Sequence, residues 1–436
     1  SSGVPNGIRS AVEWAMENGK ANFVICTSTL AQGVNLPIKY LIVSSTMQGR
    51  NRISTRDFQN LIGRAGRSGY HTEGSIIFSN PSIFDDRSTR FGQQKWQAAL
   101  SLLDFNNAEA CLSSLKDIIK PFRFEKAEND VHNFLKDPSR RRSQWINWGT
   151  VNNIDVSELM DEMDNREQIL VAIESYFLSV LKDNPDALDK DTFSALISQT
   201  LAFYLADANE RDALLAIFEL IYERLATVPP EKYSYYGRTL LGLDQLSYIE
   251  NWIDANLFEL QLTESPEDLL NLCWGLISDF STSKIITNIQ PPSLSTELAV
   301  LWIRGESYAA ILKYSKLQAG KCKAKSQLRA ITQDHIVDHC SALAYDGMLI
   351  IGGMADIIEG KGMSDDLLSM ARSLQNRLKL GLAKEFDIWL YGRGYTDREV
   401  CKYISKAFSP VRLSDNIIDY GILRDNQELL LETLGM

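Results

Sequence analysis

The chain has 436 residues, room for two or three domains, and its 44% hydrophobic and 23% charged residues suit a folded globular protein rather than a disordered one. No apolar stretch approaches the roughly 18–20 residues that cross a bilayer, and six scattered cysteines without a CxxC pair fit a reducing compartment, so a cytoplasmic protein with no membrane contact is expected. The net charge of −11 is uneven: residues 1–95 hold 11 Lys and Arg against 6 Asp and Glu, a net +5, which leaves −16 on the remainder and keeps a polyanionic partner open for the N-terminal part. The N-terminus is polar, shows no secretory signal and does not begin with Met, so a fragment or a processed piece is expected.

Residues 1 to about 80 alternate helix and strand signals. Pro5 suits a first helical turn, Ile8, Val12 and Met16 make an apolar helical face, and Gly19 is a natural stop. Phe23-Val24-Ile25-Cys26 reads as a buried strand, as do Tyr40-Leu41-Ile42-Val43 and Ser75-Ile76-Ile77-Phe78. Ser54 and Thr55 can cap a helix through Ile62. Strand, crossover helix and strand predict a parallel sheet with helices on its faces.

From about residue 92 the pattern is helical: Trp96 to Leu103, Glu109 to Ile119, Ile169 to Lys182, Thr192 to Leu205, Arg211 to Leu225, Glu267 to Phe280, Glu297 to Ile303, Asp334 to Ile358 and Asp365 to Leu380. Breaks fall at Pro121, Pro138, Pro185, Pro229-Pro230 and Pro291-Pro292. No fixed-period repeat is visible, and a helical array or bundle is the economical reading. Arg140-Arg141-Arg142 is a compact basic run that reads either as a solvated loop or as a phosphate contact.

Two segments carry candidate chemistry. Cys26-Thr27-Ser28-Thr29-Leu30-Ala31-Gln32-Gly33-Val34-Asn35-Leu36-Pro37 follows a predicted strand, at the sheet end where parallel α/β proteins bind ligands. Thr27, Ser28 and Thr29 are small hydroxyl donors suited to a backbone phosphate, Gly33 admits close approach, and Asn35 offers an amide. The bland alternative is an ordinary polar turn. Gln59-Asn60-Leu61-Ile62-Gly63-Arg64-Ala65-Gly66-Arg67 is predicted as helix running into Ser68-Gly69. Arginines three apart share a helical face, and Gly63 and Gly66 would leave that face low. Two permanently charged guanidiniums suit a polyanion, bidentately gripped; the alternative is surface pairing with Glu73 or Asp57.

TSTLAQGVNLP and QNLIGRAGR resemble motifs V and VI of superfamily-two helicases, more narrowly the superkiller-like branch of DExH-box helicases. Ser1 to Pro5 stands where that family often has His-His-Ala-Gly-Leu. The resemblance implies that residues 1–91 are the C-terminal part of a second RecA-like domain, an α/β fold with a partial parallel sheet truncated at its N-terminus. It implies that Arg64 and Arg67 reach the γ-phosphate of an ATP held by a partner domain, and that Gln59 lies at the ATP cleft. Thr27 and Thr29 match strand-contacting hydroxyls, with Ser28 beside them, and Gly33 and Asn35 match positions coupling strand to nucleotide. ATP and Mg²⁺ are the implied cofactors. Single-stranded or partly duplex DNA or RNA is the implied substrate, with 3′-to-5′ polarity.

The chain has no GxxxxGK[ST] phosphate loop and no Asp-Glu-x-His run, so it is expected to be inactive without a first RecA-like domain in cis or in trans. The large all-α remainder is expected as a region over 92–290, with room for a degenerate winged helix, and a ratchet-like domain over 291–436. Leu301 to Tyr308 and Asp334 to Ile358 extend the likeness to the helical domains of the same branch. Trp145, Trp148, Trp252, Trp274, Trp302 and Trp389 read as core or as base-stacking platforms. His335 and His339 read as capping or interface residues or as a metal pair, though no matching ligand cluster lies elsewhere and no metal is assigned. A non-enzymatic alternative makes the helical array a protein-interaction or nucleic-acid-binding module carrying a helicase remnant.

Overall fold

The computed structural model describes residues 6–26, 38–48, 51–66, 73–109, 113–324, 327–395, 397–408 and 426–434. The chain is mostly helical with small sheets, and it divides into two units: residues 1–111 with 391–401, and residues 112–390 with 402–436.

In the first unit, α1 (Asn6–Glu17) ends before Gly19, which adopts a left-handed φ of 64°. Strand β1 (Tyr40–Val43) pairs in parallel with β4 (Ser75–Phe78), placing Leu41 opposite Ile76 and Val43 opposite Phe78. Between them lie β2 (Met47–Gln48) and β3 (Asn51–Arg52), a two-residue antiparallel pair, and helix α2 (Thr55–Ile62). Helix α3 (Arg90–Leu103) follows. Side chains alternate across a strand, so Val43, Leu41 and Phe78 pack with Ile53, Phe58 and Leu102 in a small core, where the Phe58 and Phe78 rings stack at 5.9 Å. The opposite face carries Tyr40, Ile42 and Ile77, which are 59%, 59% and 46% exposed.

Phe23 to Cys26, expected as a buried strand, lies outside any strand, and Phe23 and Ile25 are fully exposed. An apolar run becomes a strand only when a neighbour takes its amides and carbonyls. None among the described residues does so.

The second unit carries α4 (Pro138–Val151), α5 (Ser157–Asp183), α6 (Lys190–Ser198), α7 (Ala208–Ala226), α8 (Leu243–Ala255) and α9 (Pro266–Phe280). After β5 (Ile289–Gln290) come α10 (Pro292–Ile303) and α11 (Tyr308–Leu317), then the hairpin strands β6 (Lys321–Ala324) and β7 (Gln327–Ala330). Helices α12 (Gln333–Ala342), α13 (Met348–Gly360) and α14 (Asp365–Leu380) follow, with shorter helices before and after them. Pro138, Pro266 and Pro292 each open a helix, where a missing N–H costs nothing. One hydrophobic cluster runs from Ile118 to Leu378.

Helices α12 and α13 join through a π-helical turn, Leu343–Gly347, into one helix over Gln333–Gly360. This element corrects the expectation that no stretch is apolar enough to span a bilayer. Its best window has a mean hydropathy of 1.4, but 72% of that window is buried inside the unit, as in a core helix. The π turn carries Asp346, whose carboxylate accepts from the Ser281 hydroxyl at 2.7 Å and the Thr282 amide at 2.8 Å. The buried charge is thereby satisfied.

Three other predicted elements change. Residues Ser114–Ile119 form a 3₁₀ helix rather than the end of an α-helix from Glu109. The helix predicted from Thr192 to Leu205 stops at Ser198, because the Thr200 hydroxyl accepts from the Phe203 amide and starts a separate short helix. Arg140-Arg141-Arg142 lies in the first turn of α4, not in a loop. Arg142 is paired with Asp164 at 2.7 Å and Glu167 at 3.0 Å, and Arg141 with Asp130 at 3.4 Å. A cation at a helix N-terminus opposes the dipole, and these carboxylates offset that.

Candidate functional site

The arginine-bearing segment is built on α2. Ser54 caps it, its hydroxyl accepting from the Asp57 amide at 3.0 Å. The two amides left open in that first turn, Thr55 and Arg56, donate to the two carboxylate oxygens of Glu109 at 2.9 and 3.0 Å. The Arg56 guanidinium also donates to the Glu109 carbonyl. Those backbone amides, Arg56 foremost, hold the Glu109 carboxyl below the ordinary carboxylate range. One turn along, the Gln59 side-chain amide donates to the Leu102 carbonyl at 2.7 Å. The face of α2 that carries Gln59 is thus stapled to the end of α3 and the segment after it.

Helix α2 ends at Ile62, with Gly63 as its C-cap. Arg64, half-buried, therefore sits in the turn beyond the helix, and the expectation that Arg64 and Arg67 share one helical face is corrected. The chain next forms a parallel bridge, Ala65 beside Ile38, and the Gly66 amide donates to the Ile38 carbonyl at 2.9 Å. Gly66 has a φ of 73°, and a Cβ on it would lie 2.5 Å from the Gly74 nitrogen. A Cβ on Gly74 would in turn lie 2.3 Å from the Ala65 carbonyl carbon and the Gly66 nitrogen. Gly66 is thus a conformational requirement of the turn and of its close packing, rather than a device for leaving a helix face bare. Arg64 is anchored on both sides: by the clasped helix before it and by the bridge and glycine contact after it.

Gln59 and Arg64 are the predicted site residues within the described structure; Thr27, Ser28, Thr29, Gly33, Asn35 and Arg67 lie outside the described residues. Sequence reasoning missed Glu109 and Gly74. Glu109 is more than fifty positions from its partners and carries no local signal.

In the second unit, two of the six tryptophans are buried in packing roles, and Trp148, Trp252, Trp274 and Trp389 are half-buried. Trp145 is buried against Phe122 and Phe134, and Trp302 is buried with its indole N–H donating to the Leu378 carbonyl at 2.7 Å. The histidine pair is divided: His335 Nδ1 accepts from the Thr332 amide as part of a capping box, whereas His339 is fully buried with Nε2 at 3.0 Å from the Ser295 hydroxyl. Among the described residues no cluster of three metal-ligating side chains occurs.

No family model matches the chain. It does match known helicases over part of its length. It is 42% identical over 76 residues to a protein named Helicase POLQ-like from Caenorhabditis elegans, 17% of this chain and 8% of that protein. It is 38% identical over 82 residues to the ATP-dependent DNA helicase Hel308 of Thermoplasma volcanium, 18% of this chain and 12% of that protein. It is also 40% identical over 80 residues to the Hachiman protein HamB of Bacillus cereus, 18% of this chain and 7% of that protein. The matched stretch thus spans about a tenth of these relatives, and over that stretch the chain is related to helicases.

Proposed function

We propose that the chain is the C-terminal portion of an ATP-dependent helicase or translocase of the DExH type, superkiller-like branch. In this reading residues 1–91 belong to the second RecA-like domain, and the helical unit guides the strand. The observation that carries the reading is the presence of two helicase-like motifs in a chain that is 38–42% identical to named helicases over 76–82 residues. The open face of the β1–β4 pair, with Tyr40, Ile42 and Ile77 exposed, supports it as well, because helices cover both faces of a complete parallel sheet. DNA is the polymer we favour, since the archaeal relative's name specifies it.

The chain's own residues do not make a phosphate cradle, for the sequence has neither a phosphate loop nor an Asp-Glu-x-His run. ATP with Mg²⁺ would be held chiefly by the first RecA-like domain. Within this chain, Arg64 and Arg67 are the groups we assign to offsetting charge on a transferring phosphoryl group. Such arginines are worth roughly 10³–10⁵ in rate. Thr27, Ser28 and Thr29 are assigned to backbone phosphates, Gly33 and Asn35 to coupling that contact to the nucleotide site, and Gln59 to the ATP cleft.

The test compares ATP hydrolysis by this chain alone with hydrolysis by the native polypeptide that contains it, with and without single-stranded DNA. The chain alone is expected to be inactive and the native polypeptide active. Arg64→Ala and Arg67→Ala are expected to lower kcat by about 100-fold or more without loss of strand binding. A chain 1–436 that hydrolyses ATP robustly alone, and loses that activity in Arg67→Ala, overturns the reading.

One observation favours a second reading, a protein-binding module. A cleft of about 440 Å³ in the helical unit is lined by Ile169, Tyr176, Phe177, Leu196 and Phe218, a mostly apolar surface. Salt-dependent binding of single strands supports the motor; tight binding to a protein partner alone supports the module.

A further inference from the structure

We propose that Glu109 is a positioning residue for the arginine-bearing turn: its carboxylate, seated on the Thr55 and Arg56 amides, holds α2 in the register from which Arg64 is presented. The inference rests on the motor reading for its kinetic consequence, but not for its structural one.

The first turn of a helix leaves N–H groups without intrahelical partners. In α2 these belong to Thr55, Arg56 and Asp57. Ser54 satisfies Asp57, the ordinary local solution. The other two are taken by a single carboxylate, one oxygen to each amide, from a residue beyond the end of α3. Two parallel N–H donors at a helix N-terminus are the arrangement that binds oxyanions; here the protein supplies the oxyanion itself. The Arg56 guanidinium closes on the Glu109 carbonyl, so the contact grips backbone as well as side chain.

Three properties make this more than a surface cap. Glu109 is exposed, so water competes for its oxygens, and the bond pair is favoured by two amides that the helix already holds side by side. Arg64 is two residues past the end of a helix only eight residues long, so a small tilt of α2 carries directly into the turn. The far end of that turn is already pinned by Gly66 against Gly74 and Ile38. Phe58 holds the middle of α2 in the small core, and Glu109 adds the polar restraint at its first turn, with Gln59 one turn along. Catalysis that depends on a placed charge loses rate when the group moves by about an ångström. Substrate and strand affinity, set by groups elsewhere, need not change.

The experiment uses Glu109→Ala and Glu109→Gln in the native polypeptide. The expected result is a fall of about tenfold in kcat for DNA-stimulated ATP hydrolysis in Glu109→Ala, with KM for ATP and strand affinity within about twofold of the parent. Glu109→Gln, which keeps one acceptor oxygen, is expected to fall between Glu109→Ala and the parent. Added acetate is expected to restore part of the rate in Glu109→Ala and none in the parent, because the emptied amide pair accepts a free carboxylate. An unchanged kcat in Glu109→Ala, or a KM increase that accounts for the whole loss, overturns the assignment. A parent without ATPase activity would sink the motor reading instead. The positioning claim would then be decided by amide hydrogen exchange in this chain, where Glu109→Ala should speed exchange across residues 55–62 by about tenfold. Unaltered protection there refutes it whatever the ATPase does.

Discussion

His339 gives a stability prediction with a sign and a size. It lies in the core helix, fully buried, with Nε2 at 3.0 Å from the Ser295 hydroxyl, which itself donates to the Ile286 carbonyl at 2.8 Å. No described residue partners Nδ1. Burial pushes the imidazole pKa down from 6.5 to about 4. In the unfolded chain the ring regains its ordinary value, so between about pH 6.5 and pH 4 the unfolded state binds the extra proton. The contribution is therefore intact above pH 6.5 and is lost as pH falls toward 4. A separation of about 2.5 pH units corresponds to about 3 kcal/mol in full, of which about 2 kcal/mol is gone by pH 5. Urea unfolding at pH 7 and pH 5, followed by tryptophan fluorescence, reads the helical unit well, since it holds six of the eight tryptophans. The parent minus His339→Gln difference should shrink by about 2 kcal/mol between these pH values, because glutamine does not titrate. Parallel pH dependences for the two proteins would refute the argument, whatever the absolute cost of the substitution.

Other substitutions test the packing directly. Glu174 is buried on α5, where its carboxylate takes the Arg224 guanidinium at 2.6 Å and the Leu243 amide at 2.9 Å, tying α7 and α8 to α5. Glu174→Ala should destabilise the helical unit by about 3 kcal/mol by chemical denaturation, and Glu174→Gln by clearly less, since it still accepts from Leu243. Gly74→Ala should cost about 2 kcal/mol or more in local opening of residues 55–66 and 73–78 by hydrogen exchange, because the new Cβ meets backbone at 2.3 Å. Gly275→Ala, on α9 with nothing within 4 Å of a Cβ, should instead raise helical-unit stability by about 1 kcal/mol.

The elements that were legible in the sequence are those whose signal is local. The β1 and β4 runs, the Ser54-capped helix and the long apolar helices stand where period and capping chemistry put them. Misreadings occurred where a partner decides. Phe23 to Cys26 has strand composition, but no described strand pairs with it. Gly63 ends α2 before Arg64, although helical periodicity would carry on through the second arginine. The basic run at Arg140 looked like a loop because three like charges disfavour a helix start, until Asp130, Asp164 and Glu167 are brought beside it.

The amino-acid order alone determined the helicase-like motif residues, the helical character of the larger unit and the lack of a phosphate loop, since each is written in a contiguous stretch or in side-chain chemistry. Only tertiary structure decided that Glu109 occupies the amides of α2, that Gly66 and Gly74 interlock, and that His339 is buried while His335 caps a helix. Those outcomes depend on which distant groups meet in space, and hydrogen bonding and close packing act on distance between atoms rather than on separation along the chain.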